Sequence, residues 1–252
     1  MFRNSAAYSQ GEARPDTGEA RLRWLRATRQ LDVMAPKLRA KTLVLTRLLD
    51  TEREKAVALH NFVRTLPFAC IADYSGLTAE GVLNLGQGDC FSKGMLFVAM
   101  LRCAGVPARL RFVSLPVHFL RGIIEPEEST IMHAMAEVLI ENRWIVTDSY
   151  VPDQTLFAAA SKKLSAENRA LGYGIHIAGT QSWQGLKDAS AQCVAIDLSS
   201  LPIVDWGVAH DPETFYADPS HTKLRRSFAS RMKWRLAAPM VNKRVAALRA
   251  SL

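Results

Sequence analysis

The stretch Gly86-Gln87-Gly88-Asp89-Cys90-Phe91-Ser92-Lys93-Gly94-Met95, running on to Cys103-Ala104-Gly105, decides how the rest of the chain reads. Two glycines permit a tight approach, and Asp89 is placed to cap the helix that follows. The body of that helix, Met95 to Cys103, is apolar on nearly every face and is therefore expected to lie buried. Gly105 and Pro107 supply its stop. Cys90 then falls in the first turn, where aligned peptide dipoles and unsatisfied amides favour the thiolate, the nucleophilic form. Free cysteines more often only pack. Position alone leaves both readings open, while Cys70, Cys103 and Cys193 read as packed residues.

Upstream, Thr51-Glu52-Arg53-Glu54 has the capping-box form, with Ala56, Leu59, Val63 and Leu66 at helical spacing behind it and Pro67 as the stop. Downstream, Arg109 to Leu115 alternates in strand fashion. Met132 to Ile140 and Arg143 to Asp148, either side of Glu141-Asn142, read as a β-hairpin. A two-residue loop there sets Leu139 opposite Trp144 and Met135 opposite Asp148. His133 shares a face with Met135, so it becomes the diagonal neighbour of Asp148, about 7–8 Å away between backbones. A slip of one residue would separate them onto opposite faces. A thiol at a helix start, with an imidazole and a carboxylate from one face of a later hairpin, is the set that nucleophilic acyl transfer requires. His118 has no partnered carboxylate and reads as a surface imidazole. For the oxyanion, the Cys90 backbone N–H is the first donor and the Gln87 side-chain amide a candidate second, with Tyr74 a weaker one.

These blocks resemble the transglutaminase-like superfamily of papain-related cysteine enzymes. The resemblance rests on Gly88-Asp89-Cys90 with Leu101 to Arg109 behind it, on His133-Ala134 with Glu137-Val138, and on Trp144-Ile145-Val146-Thr147-Asp148, and covers roughly residues 45–150. It implies Cys90 as nucleophile, His133 as general base and acid, and Asp148 as the group that orients the imidazole. Two positions depart from the family pattern: Met135 stands where an aromatic residue is frequent, and Ser92 or Lys93 where an aspartate is frequent.

With 252 residues, 48% hydrophobic and 22% charged, the chain belongs with ordinary globular proteins and can bury a core without disulfide or metal staples. Four scattered cysteines with no C-x-x-C pair argue against a disulfide framework and structural zinc; no metal and no cofactor are expected. No apolar leader is recognised near the first residue, so the expectation is a cytoplasmic protein. The net charge of +8 is uneven. Residues 1–41 carry nine Lys/Arg against four Asp/Glu, residues 223–252 nine against none, and the middle 14 against 20.

The expected architecture is α+β, a transglutaminase-like (papain-like cysteine protease) fold with a buried nucleophile helix on an antiparallel sheet. Its parts are an N-terminal arm (1–20), a catalytic core (21–165), a loop-rich accessory segment (166–222) and a basic helical tail (223–252) interrupted at Pro239. The tail is expected to dock on its own domain; a nucleic acid or an anionic membrane surface is the alternative partner. The expected activity is cysteine-dependent acyl transfer on a peptide or small amide substrate through a thioester. Hydrolysis is preferred because water needs no dedicated acceptor site. Protein-glutamine transamidation is an alternative, as is a silent binding module acting through the basic ends.

Overall fold

The structure, a computed structural model, describes residues 18–125, 128–224 and 228–252. Most of the arm expected over 1–20, and residues 225–227 of the tail, lie outside the described residues. The elements in chain order are α1 (Gly18–Arg23), α2 (Pro36–Thr46), α3 (Glu52–Thr65), α4 (Ala79–Leu85), α5 (Cys90–Cys103), β1 (Ala108–Pro116), β2 (Thr130–Ile140), β3 (Arg143–Thr147), α6 (Gln154–Ala166), β4 (Leu171–Gly172), β5 (Ile175–His176), β6 (Val204–Ala209), α7 (Pro212–Ala217) and α8 (Phe228–Arg249).

The main sheet is four-stranded and antiparallel in the order β3-β2-β1-β6, with helices packed on it, so the fold is α+β. Helix α5 is the centre of the core. Met95, Leu96, Phe97, Val98 and Met100 are fully buried and share one cluster with Leu110 and Phe112 of β1 and Ala136 and Val138 of β2. Each such large side chain stabilises the fold by about 1.5–3 kcal/mol relative to exposure. Gly94 lets the helix come this close. A Cβ there would stand 3.1 Å from Leu110 Cδ2 and 3.2 Å from the Tyr150 hydroxyl. Helix α3 lays Ala56, Leu59 and Val63 on the same core behind its capping box, in which the Thr51 N–H donates to Glu54 Oε2 (2.9 Å) and the Glu54 N–H to Thr51 Oγ1 (3.1 Å).

The hairpin β2–β3 has the expected register. Leu139 pairs with Trp144 and Ala136 with Thr147, and Glu141 and Asn142 both take positive φ (51° and 60°), as a two-residue hairpin turn of type I′ requires. Across β2, β1 and β6, buried Glu137 accepts from Arg109 and Arg111, and Arg111 continues to Asp205. Arg109 also stacks 3.8 Å over the Trp144 ring. This ladder ties three strands together across the β1–β6 register shift at Phe112–Val113.

Strand β6 and helix α8 differ from the sequence reading. Strand β6, from the segment read as accessory, completes the main sheet beside β1. Helix α8 is continuous through Pro239, where an interruption was expected. Proline removes one intrahelical hydrogen bond, and anchors on either side of it hold the helix. Arg235 pairs with Asp73; Asn242 brackets the Cys70 backbone, accepting from its N–H (2.7 Å) and donating to its carbonyl (3.1 Å); Arg244 donates to the Ile123 carbonyl (2.8 Å); Arg249 pairs with Asp153. The basic tail thus packs against its own chain.

Candidate active site

Cys90 opens α5. Asp89 caps the helix, its Oδ1 accepting from the Ser92 N–H (3.2 Å) while the Asp89 N–H donates to Ser92 Oγ (2.8 Å). Gly88 is required for this box, because a Cβ there would lie 2.4 Å from Ser92 Oγ. The second Asp89 oxygen accepts from the Ile71 N–H (2.9 Å) and the Tyr74 hydroxyl, which fixes residues 71–74 beside the cysteine. At the first helical position the Cys90 N–H has no intrahelical acceptor and is free to stabilise an anion.

Lys93, one turn on, is fully buried and donates to the Leu66 (2.9 Å) and Val151 (2.8 Å) carbonyls. Burial brings its pKa down to about 7. It pins the helix start to the end of α3 and to the segment after Asp148. Sequence reasoning noted Lys93 only as a departure from a family pattern and missed this role.

His133, on β2, is buried and its Nε2 lies 2.8 Å from Asp148 Oδ2. The remaining ring nitrogen, Nδ1, is left for the Cys90 side chain, which lines the same cleft and whose charge acts on the imidazole. Burial is the largest single influence on the imidazole and disfavours its charge. Negative charge at Cys90 and the bond to Asp148 together outweigh it, and the pKa is pushed up to about 10. Asp148 follows β3 and is held on every side: its N–H donates to the Ala189 carbonyl (3.2 Å), its Oδ1 accepts from the Ala191 N–H (3.1 Å), and its Oδ2 faces His133. Behind it, buried His60 Nε2 meets Ser149 Oγ at 2.8 Å, and Ser149 Oγ meets Thr147 Oγ1 at 2.9 Å. Burial drives the His60 pKa down to about 3, so this second histidine stays neutral.

Cys90, His133 and Asp148 are therefore brought together. Gln87 is not: its side chain is exposed and does not line the cleft at Cys90. Tyr74 does line it, with its hydroxyl committed to Asp89. His118 is exposed. Cys70, read as a plain packed residue, lines the same cleft as Cys90, while Cys103, read as core, is only half-buried at the far end of α5. Burial pushes the Cys193 thiol well up. The cleft is walled by apolar side chains, among them Phe119, Ile123, Met132, Trp234 and Val241, together with Gln192. Trp234 and Val241 come from α8 and Gln192 from the segment before β6, too far along the chain for any local pattern to reveal them. Among the described residues no group of three or more His, Cys, Asp or Glu side chains is placed to hold a metal ion, and no helix is long and apolar enough to cross a membrane.

Residues 40–149 match the family model of the transglutaminase-like superfamily. No curated protein matches the chain. Among solved structures, a candidate cysteine protease from Cytophaga hutchinsonii is 18% identical, with a TM-score of 0.42 over 52% of this chain and 41% of that one. A candidate protease from Parabacteroides distasonis is 17% identical, with a TM-score of 0.36 over 51% and 26%. The chain thus spans less than half the length of either solved structure. Residues 40–149, which run from α2 to the carboxylate beside His133, form a transglutaminase-like superfamily domain.

Proposed function

We propose that this protein is a cysteine hydrolase of amide or peptide bonds, with Cys90 as nucleophile, His133 as proton carrier and Asp148 as the group that orients the imidazole. The observation that carries the reading is the buried relay itself. One His133 nitrogen sits 2.8 Å from a fully buried carboxylate, and the same ring shares its cleft with, and feels the charge of, a thiol at a helix N-terminus. Peptide dipoles and the imidazolium both favour thiolate at that place.

The thiolate adds to the substrate carbonyl, forming an S–C bond, while the charge that develops on oxygen meets the Cys90 N–H. As the C–N bond breaks, His133 gives its proton to the departing nitrogen, leaving a thioester. Neutral His133 then takes a proton from water, whose oxygen attacks the thioester and releases the thiolate and the acid. Asp148 holds the tautomer and ring orientation throughout.

The test is digestion of a complex peptide mixture in 18O-water by wild type and Cys90→Ala, read by mass spectrometry. New carboxyl groups carrying 18O with wild type alone are the expected result. Identical peptide profiles from both proteins would contradict it. Adducts with an added primary amine in place of water would convert the reading to transamidation.

A further inference from the structure

The wall of the cleft bears on what enters it. Beside Cys90 and His133 the open cleft offers about 100 Å3. An engineered apolar cavity of about 150 Å3 accepts benzene, so the space suits a group of about four to six carbons. Phe119, Leu120, Ile123, Ile131, Trp234 and Val241 are apolar, and the one carboxylate beside them, Asp89, is already committed to the Ile71 and Ser92 N–H groups and the Tyr74 hydroxyl.

One residue that lines the cleft carries an unsatisfied polar atom. Gln192 is 3% exposed, and its Oε1 is buried without a hydrogen-bond partner. Its amide orientation is set, because Nε2 donates to the Gly174 carbonyl at 3.2 Å. The residue before it, Ala191, donates its N–H to Asp148 Oδ1, which fixes Gln192 close to the relay. A buried acceptor left unmade costs free energy that a donor from a ligand would recover.

Resting on the hydrolase reading above, we propose that the substrate's acyl part carries a compact apolar group next to an N–H, the apolar group packing on Trp234 and Phe119 and the N–H donating to Gln192 Oε1. Trp234 makes helix α8 part of the specificity site. The basic tail then serves the cleft with its apolar face, whatever its charged face meets.

Reversible aldehydes test this without a known substrate. The Cys90 thiol adds to the aldehyde carbon, the carbonyl oxygen takes the proton, and the hemithioacetal blocks alkylation. Protection of Cys90 from iodoacetamide is measured with N-acetyl-leucinal, N-acetyl-phenylalaninal, N-acetyl-glycinal, N-acetyl-lysinal and N-acetyl-N-methyl-leucinal. Burial of each methylene is worth about fourfold. The leucine aldehyde is therefore expected to protect at concentrations about 50-fold or more below the glycine and lysine analogues, and the phenylalanine one, with its seven-carbon side chain, to protect less well than leucine. Trp234→Ala should shrink the leucine-to-glycine gap about tenfold. N-methylation should weaken leucinal about five- to tenfold, and that loss should vanish in Gln192→Met.

Equal protection by the leucine and glycine aldehydes, or best protection by the lysine one, overturns the apolar subsite. An N-methyl penalty unchanged in Gln192→Met overturns the role of Gln192. Both outcomes differ from failure of the hydrolase reading, in which Cys90 alkylates no faster than Cys70, Cys103 and Cys193 and none of the aldehydes protects it.

Discussion

Two histidine–aspartate pairs occur in the described residues, and only one of them makes a candidate site. His133 Nε2 meets Asp148 Oδ2 at 2.8 Å; His176 Nε2 meets Asp197 Oδ2 at 3.2 Å. The imidazoles are equally buried, at 3% and 4% side-chain exposure, but Asp148 is fully buried whereas Asp197 is 28% exposed. The decisive contrast is on the other ring nitrogen. His133 offers it to the Cys90 thiol, whereas His176 Nδ1 accepts from the Ala178 N–H (3.0 Å) and so closes a turn. On the proposed reading, an imidazole–carboxylate pair serves chemistry only where its second nitrogen faces a reactive atom; elsewhere it is a structural clip.

The sharpest way to break this contrast is to remove the two carboxylates separately. Asp148→Asn should lower turnover by about 10²–10⁴-fold through loss of the tautomer, while Asp197→Asn should change it less than twofold, both measured as 18O incorporation into the same peptides. Comparable losses in the two variants would erase the distinction. His133→Ala should slow Cys90 alkylation at pH 7 by about 10- to 30-fold, because an unassisted thiol is only a few per cent ionised there. His176→Ala should leave that rate unchanged.

Titration sharpens the contrast further. In the wild type the His133 ring should stay protonated until about pH 10. Cys90→Ala removes the largest influence raising that value, so the ring should lose its proton at lower pH, as read from its NMR shifts. The sign for stability follows. A raised folded value gives stabilisation that is complete below the unfolded value near 6.5 and is lost as pH climbs toward 10.

His60 runs the other way. Its folded value is about 3, so below about pH 6.5 the unfolded chain binds the proton first and stability falls, with a limiting slope of about 1.4 kcal/mol per pH unit. Urea midpoints at pH 7 and 4.5 should converge more closely in His60→Gln than in wild type. The smallest expected effect is at Lys93. Replacing it with Met strands the Leu66 and Val151 carbonyls and should cost about 1–3 kcal/mol in chemical denaturation, offset in part by relief of a buried charge.

The parts of the fold legible in the sequence are those set by local rules. The Thr51–Glu54 box, the Asp89 cap and the Glu141-Asn142 turn each act within a few residues, and the turn carries the register that brings His133 to Asp148. Helix α6 also had its local signal, Asp153 as cap with Leu156, Ala159, Ala160 and Leu164 on one face, and was overlooked. Strand β6 was not legible in this way. It is short, contains Gly207, and pairs with a strand about ninety positions earlier, an association no local pattern encodes. The same holds for Trp234 and Gln192, which reach the cleft only through long-range packing. Gln87 stands outside the cleft for the converse reason: nearness in sequence to Cys90 does not turn its side chain toward it.

The central claim is that the thiol at the head of α5 is activated by the buried histidine–aspartate pair. Peptide-resolved iodoacetamide rates for all four cysteines at pH 6 test it most directly, in wild type and in Asp148→Asn. The expected result is a Cys90 rate at least about tenfold above those of Cys70, Cys103 and Cys193, falling toward theirs in the variant. A Cys90 rate equal to the others in the folded wild type would contradict the account.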